Sequence, residues 1–277
     1  MMKITKGSVQ ETLIIPLYSR KLCAKYFPTI FMDKKSLELI EQIEYDFSAF
    51  EKRSISLIQK FGALEVAMRQ LDMAIEIKEY LKENPQAAVV NMGCGLDQTA
   101  ESCDNGQCLI YNIDHEDVIE IRNKLLPSKD RVLNIAADLN DNSWFEKINA
   151  ANGAIFFASG VFYYFKKEET QLLFKKMNCY FPKGRLVFDI AGKKAVRLMI
   201  KTWVKMSGIK NVDAHFYVND IQKDIVPWLN NAAVSSRGYM LGYNSLDDPS
   251  VGKVFRVLAK VCDKIMKMQI VRIDFGK

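Results

Sequence analysis

The sequence predicts an α/β fold, a doubly wound and mostly parallel seven-stranded sheet with an N-terminal helical extension. Three observations predict it. Short apolar runs recur at 87–92, 108–113, 131–136, 153–158 and 185–190, as expected of strands covered on both faces. Helical stretches at 116–126, 144–149 and 167–181 lie between them, and strand alternating with helix implies parallel pairing with right-handed crossovers. Finally, 277 residues that are 49% hydrophobic and 26% charged suit one sizeable α/β core. The expected organisation is a single domain over 1–277, with an arm and helices at 1–84 and the sheet at 85–277.

Taken in order, residues 12–28 hold the run Leu13-Ile14-Ile15-Pro16-Leu17 followed by Arg20 and Lys21, which reads as an arm rather than a strand of the main sheet. A helix is expected over 33–61. Asp33 would cap it, and Leu37, Ile40, Ile43, Phe47 and Phe50 recur mostly at three- and four-residue steps. A second helix over 63–83 presents Leu64, Met68, Leu71 and Ile75 and stops at Asn84-Pro85. Beyond the five apolar runs come a helix at 193–206, an irregular segment at 207–219, a helix at 220–229, a strand at 234–241, a helix at 250–266 and a last strand at 269–275.

Composition excludes several classes. The net charge is +6, yet basic residues mix with acidic ones, as in Lys166-Lys167 before Glu168-Glu169, which describes a solvated surface and not a nucleic-acid footprint. The six cysteines show no paired CxxC spacing, and there are two histidines, His115 and His215, so no metal site is expected. With no apolar stretch of membrane-spanning length and no leader-like run behind the first lysines, the chain is expected to be cytoplasmic, with no membrane partner.

In an open α/β sheet, ligands bind at the carboxyl ends of the strands, where the winding reverses. The first main strand runs into Asn91-Met92-Gly93-Cys94-Gly95-Leu96-Asp97, and Gly93 and Gly95 would permit a tight turn with close approach of a ligand to the backbone. The second ends at Asp114, about twenty residues on, where a nucleoside-binding fold places a carboxylate for ribose hydroxyls; capping of the next helix is the alternative. After the third strand, Asp138 beside Leu139 suits the exocyclic amine and the faces of an adenine, and an Asx turn would also explain Asp138. The fourth leads through Ser159-Gly160-Val161 into Phe162-Tyr163-Tyr164, aromatics that would shape a pocket floor or pack in the core.

An adenosyl ligand is therefore expected. The third small residue of a dinucleotide fingerprint is replaced by Gln98, and no P-loop occurs. S-adenosylmethionine needs no phosphate cradle, and its carboxylate would seek an arginine, for which Arg69 and Arg20 stand upstream of the sheet. A nicotinamide-dependent oxidoreductase on a similar sheet is the reading that Gln98 disfavours.

The ordered set of Thr12 to Arg20, Val66-Ala67-Met68-Arg69-Gln70-Leu71-Asp72, Val89 to Asp97 with its NMGCGLD turn, Asp114, Ala136-Ala137-Asp138-Leu139 and Gly160-Val161 with Tyr164 resembles the S-adenosylmethionine-dependent, class I methyltransferases related to leucine carboxyl methyltransferase and to the polyketide O-methyltransferase of tetracenomycin synthesis. The resemblance implies that Arg69 holds the methionine carboxylate of S-adenosyl-L-methionine, with Arg20 a further candidate. It implies that Gly93 and Gly95 line the methionyl and ribose portion, that Asp114 binds the ribose, and that Asp138 and Leu139 bind the adenine. The family usually has a glutamate before the Gly-Val pair, and here Ser159 stands there.

The implied activity is O-methylation of a carboxylate or hydroxyl of a small molecule, an in-line displacement in which positioning supplies much of the rate. A carboxylate acceptor is already ionised at pH 7, whereas a phenol, with pKa near 10, would benefit from a base. Tyr164 and His215 are the catalytic candidates. The acceptor pocket is expected among the arm, the Tyr163-Tyr164 turn and an insertion near 206–219. Because of Ser159, a non-catalytic adenosyl-ligand-binding protein is a further alternative.

Overall fold

The computed structural model describes residues 2–4, 13–54, 56–201 and 214–277. Its strands are β1 (Met2–Lys3), β2 (Ile43–Glu44), β3 (Ala88–Met92), β4 (Leu109–Asp114), β5 (Val132–Ala136), β6 (Ala154–Ala158), β7 (Gly184–Ile190), β8 (Ala232–Gly238) and β9 (Gln269–Phe275). Strands β3 to β9 form one seven-stranded sheet in the order β5-β4-β3-β6-β7-β9-β8. Five strands run parallel, and β9 lies antiparallel between β7 and β8. The winding reverses at β3, which pairs Val90 with Tyr111 on one side and with Phe156 on the other.

The helices are α1 (Ile14–Tyr26), α2 (Lys34–Glu41), α3 (Ser48–Arg53), α4 (Leu57–Glu83), α5 (Thr99–Ser102), α6 (Glu116–Leu125), α7 (Lys167–Tyr180), α8 (Lys193–Met199), α9 (Ile221–Asp224) and α10 (Lys253–Lys264). Successive strand residues serve opposite faces. Val89, Ile155 and Val187 pack with Leu64, Met68 and Ile77 of α4 and Ala259 of α10. Val90, Phe156 and Phe188 pack on the other face with Trp144 and with Phe174 of α7. Continuous apolar runs are what a sheet covered on both faces requires.

The five expected parallel strands are present within one residue of each expected end, and the last strand spans the expected residues. Other expectations are corrected. The arm at 12–28 is largely the helix α1, whose Ile14, Leu17 and Cys23 are buried; Thr12 lies outside the described residues. The single helix expected over 33–61 is α2, β2 and α3 instead. Asp33 does cap it, accepting from Ser36 N at 3.0 Å, but Ile43 pairs with Met2 in a small parallel sheet. Phe47 and Phe50 gather around Tyr18, with ring centroids at 5.6 and 5.1 Å. Helical spacing thus survives, but the partners are tertiary.

Helix α4 begins at Leu57, earlier than expected, where Ser56 Oγ accepts from Gln59 N. The segment at 144–149 is a 3-10 turn over Asn142–Lys147 capped by Asp141. The helix expected at 220–229 breaks into α9 and a 3-10 turn at Val226–Trp228, because Pro227 contributes no N–H to continue the ladder. Strand β8 ends at Gly238 rather than 241, since Asp263 accepts from Met240 N and Leu241 N and turns the chain away. Part of the helix expected at 193–206 is α8; residues 202–206 lie outside the described residues. No described helix is long and apolar enough to cross a membrane.

Candidate active site

The turn after β3 turns because both of its glycines adopt positive φ, +66° at Gly93 and +47° at Gly95, a region that side chains rarely enter. Gly93 N and Cys94 N donate to Ile113 O at 2.8 and 3.0 Å, tying the turn to β4. There is no room for a larger residue. A Cβ on Gly93 would stand 2.6 Å from Val161 Cγ2, and one on Gly95 would stand 3.0 Å from Leu13 Cδ2.

Asp114 ends β4 beside this turn. Its Oδ2 accepts from Gly95 N at 2.8 Å and its Oδ1 from His115 N at 2.8 Å. One donor on each oxygen leaves each a further lone pair. Burial pushes the carboxyl pKa above its ordinary value against the pull of these two backbone donors.

Arg122, which was not singled out from the sequence, and Asp97, the last residue of the NMGCGLD turn, hold the turn from behind. Arg122 of α6 is fully buried. It donates to Gly95 O at 3.0 Å and Asp97 O at 2.7 Å, meets Glu101 Oε1 at 2.6 Å, and donates through Nε to Asn134 Oδ1 at 3.1 Å. Its signal in the sequence was an arginine on the apolar stripe of α6, four residues after Val118. Asp97 takes Arg20 Nη1 at 2.9 Å and Asn91 Nδ2 at 3.2 Å. It also accepts from Thr99 N at 3.1 Å. Arg20 is therefore buried against Asp97 and Gln70, and it anchors α1 to the turn.

A second group surrounds Arg69. Its Nη1 donates to Asp189 Oδ2 at 3.0 Å, while Asp189 Oδ1 accepts from Gly160 N at 2.6 Å and Oδ2 from Tyr163 OH at 3.0 Å. Gly160 has φ +75°, and a Cβ there would lie 2.8 Å from Arg69 Nη1. Burial works against the Arg69 charge, but Tyr239, Asp189 and Tyr163 outweigh it and hold the pKa above its ordinary value. Arg69 Nε is buried with no hydrogen-bond partner. Ser159 is half-buried at the end of β6, beside Gly160. Asp189 was not singled out from the sequence, although a charge near the end of the fully buried strand β7 was a signal.

The remaining expected residues lie around these two groups. Ala137 N donates to Asp114 O at 2.9 Å, which sets the loop of Asp138 and Leu139 beside the turn. Leu139 is buried, and its carbonyl accepts from Trp144 Nε1 at 3.4 Å. Asp138 is exposed and forms the Asx turn, accepting from Asn140 N at 2.9 Å. Tyr164 is 41% exposed. His215 also faces solvent, and its N, with Phe216 N, donates to Tyr163 O. Of the insertion expected near 206–219, residues 206–213 lie outside the described residues. The contact of Val161 with Gly93 joins the two groups into one edge, with Leu13 against Gly95 and Arg20 of α1 against Asp97. Open clefts of about 410 Å³ beside Phe145 and Tyr180, and of about 500 Å³ beside Tyr243 and Asn244, lie apart from it.

The donor set fits a nucleoside carrying an amino-acid tail: a carboxylate with spare lone pairs beside a glycine turn, and a guanidinium with an unmet N–H. It does not fit a pyrophosphate. That group needs free N–H groups at a helix N-terminus, and here Asp97 accepts from Thr99 N, at the start of a helix of only four residues.

Comparison with known proteins agrees. The tetracenomycin polyketide synthesis O-methyltransferase TcmP of Streptomyces glaucescens is 28% identical over 183 residues, which span 65% of this chain and 65% of that protein, just under two thirds of its length. The S-adenosyl-L-methionine-dependent methyltransferase dpfgK of Gibberella zeae is 22% identical over 204 residues, 69% of this chain and 68% of the relative. The fold matches the solved plantazolicin methyltransferase BpumL with a TM-score of 0.51 at 12% identity, covering 97% of this chain and all of that one. A family model described as leucine carboxyl methyltransferase matches residues 18–178. With more than half of its length matched by that model, the chain belongs to the leucine carboxyl methyltransferase family.

Proposed function

We propose that this chain is an S-adenosylmethionine-dependent O-methyltransferase acting on a carboxylate or hydroxyl of a small molecule, and that residues 1–277 work as one domain. The observation that carries the reading is Asp114, whose two oxygens each accept one backbone N–H beside a glycine turn and keep capacity for two ribose hydroxyls. Gly93 and Gly95, both at positive φ, form the tight turn that holds Asp114 beside it. Arg69 keeps a buried, unmet N–H for a carboxylate. Asp138, next to buried Leu139, would offer its carboxylate to an exocyclic amine. When bound, S-adenosylmethionine supplies an electrophilic methyl group on a sulfonium.

The residues of this chain then have positioning to do, which is where much of the rate of a displacement originates. Tyr164 and the backbone from His215 onward border the Tyr163 turn; in this reading Tyr164 orients an acceptor oxygen and His215 is the candidate base for a phenol. The names of the Streptomyces and Gibberella relatives support methyl transfer, and that of the Streptomyces protein supports an oxygen acceptor in polyketide synthesis. Asp97 on Thr99 N weighs against the nicotinamide alternative. Ser159 keeps a second reading open, an adenosyl-ligand-binding protein without turnover.

Titration calorimetry with S-adenosylmethionine and S-adenosylhomocysteine tests the proposal. Binding of both is expected; no heat at millimolar ligand overturns it. Methyl transfer to a panel of small carboxylates and phenols separates the enzyme from the silent binder.

A further inference from the structure

We infer that Asp189 is a positioning residue that aims the Arg69 guanidinium at the carboxylate of the cofactor tail, an inference that rests on the cofactor reading above. Ser159 leaves this corner of the edge without the carboxylate that the resemblance leads one to expect there. Asp189, one strand over on β7, supplies the negative charge from below. It collects donors from three separate parts of the chain: Arg69 Nη1 at 3.0 Å from α4, Gly160 N at 2.6 Å from the turn after β6, and Tyr163 OH at 3.0 Å from the aromatic segment.

The Asp189 side chain is about 1% exposed, so it is placed to act through Arg69 and not on a ligand. Its grip fixes Nη1 of the guanidinium, and Gly160 makes the room for it to lie there, since any Cβ would meet Nη1 at 2.8 Å. The Nε–H remains buried and without a partner. Such an orphan donor in a protein interior is costly, and a carboxylate accepting from the guanidinium would satisfy it with a charge-assisted bond. Asp189 also neutralises Arg69 in the protein without ligand, where a lone buried charge would be strongly unfavourable.

The test compares two ligands. S-adenosylhomocysteine carries the amino-acid tail, and methylthioadenosine keeps the nucleoside and thioether but lacks the tail. In calorimetry, Asp189→Asn should weaken S-adenosylhomocysteine at least tenfold and leave methylthioadenosine within twofold. In an Arg69→Gln background, Asp189→Asn should add nothing further, as a double-mutant cycle requires of residues acting as one unit. Asp189→Glu keeps the charge but displaces it, and it should show the same tail-selective loss; it serves if the asparagine variant does not fold. Equal losses for both ligands, or an unchanged affinity for S-adenosylhomocysteine, would overturn the assignment. A wild-type chain that binds neither compound removes the cofactor reading and this inference with it, whereas wild-type binding without tail selectivity in the variants removes this inference alone.

Discussion

Arg20 Nη1 stands 2.9 Å from Asp97 Oδ1, so an ion pair ties α1 to the turn that follows β3. The Arg20 side chain is 3% exposed and that of Asp97 22%. Breaking a buried pair costs about 3–5 kcal/mol, because the surviving charge is left uncompensated, and the partial exposure of Asp97 argues for the lower end. Arg20→Met should therefore lower the melting temperature by several degrees, at about 2–4 °C per kcal/mol for chains near this size. Arg20 Nη1 is engaged by Asp97 and Gln70, so the expected loss in binding is equal for S-adenosylhomocysteine and methylthioadenosine. A loss confined to S-adenosylhomocysteine would instead make Arg20 a direct ligand contact.

Asp114→Asn should abolish tight binding of both adenosyl compounds, since one of the two acceptors for the ribose becomes a donor. Affinity of the wild-type protein should fall on acidification, because the protonated carboxyl loses acceptor capacity. Burial has raised the pKa, so the fall should begin at a higher pH than for an ordinary aspartate. Calorimetry across a pH series measures both.

Gly93→Ala should destabilise the chain by about 1–3 kcal/mol through its left-handed φ alone, with a further loss from the collision with Val161 Cγ2. The double variant Gly93→Ala with Val161→Ala should recover the second part and not the first. Thermal melts of the three variants separate strain from crowding.

Asp72 and Glu65 on α4 make stability depend on pH. Burial pushes the Asp72 carboxyl up to about 8 and the Glu65 carboxyl up to about 7. Between the unfolded carboxyl range near pH 4 and these values, the folded chain binds more protons than the unfolded chain, so stability falls as pH rises. The melting temperature should be higher at pH 5.5 than at pH 8.5. Asp72→Asn keeps the acceptor for Asn244 Nδ2 and should flatten this dependence, stabilising the protein at pH 8.5 with little effect at pH 5.5.

The sequence by itself determined the sheet and the turn where Gly93, Gly95 and Asp114 meet. Strands buried on both faces leave an unbroken apolar run, and glycines at a sheet edge followed some twenty residues later by an acidic strand end reflect constraints that act along one short segment. Residues such as Gly93, Gly95 and Asp114 meet because β3 and β4 are neighbours with matched ends. The tertiary structure decided everything that joins distant segments. Nothing local reveals that Arg20 belongs to Asp97, or that Asp189, 120 positions beyond Arg69, neutralises it. Nor could spacing say that Phe47 and Phe50 would abandon one helix to surround Tyr18. Periodicity records which face of a segment avoids water. A buried charge leaves only its own anomaly in an apolar stripe, as Arg122 and Asp189 do, and its partner is chosen when the elements pack.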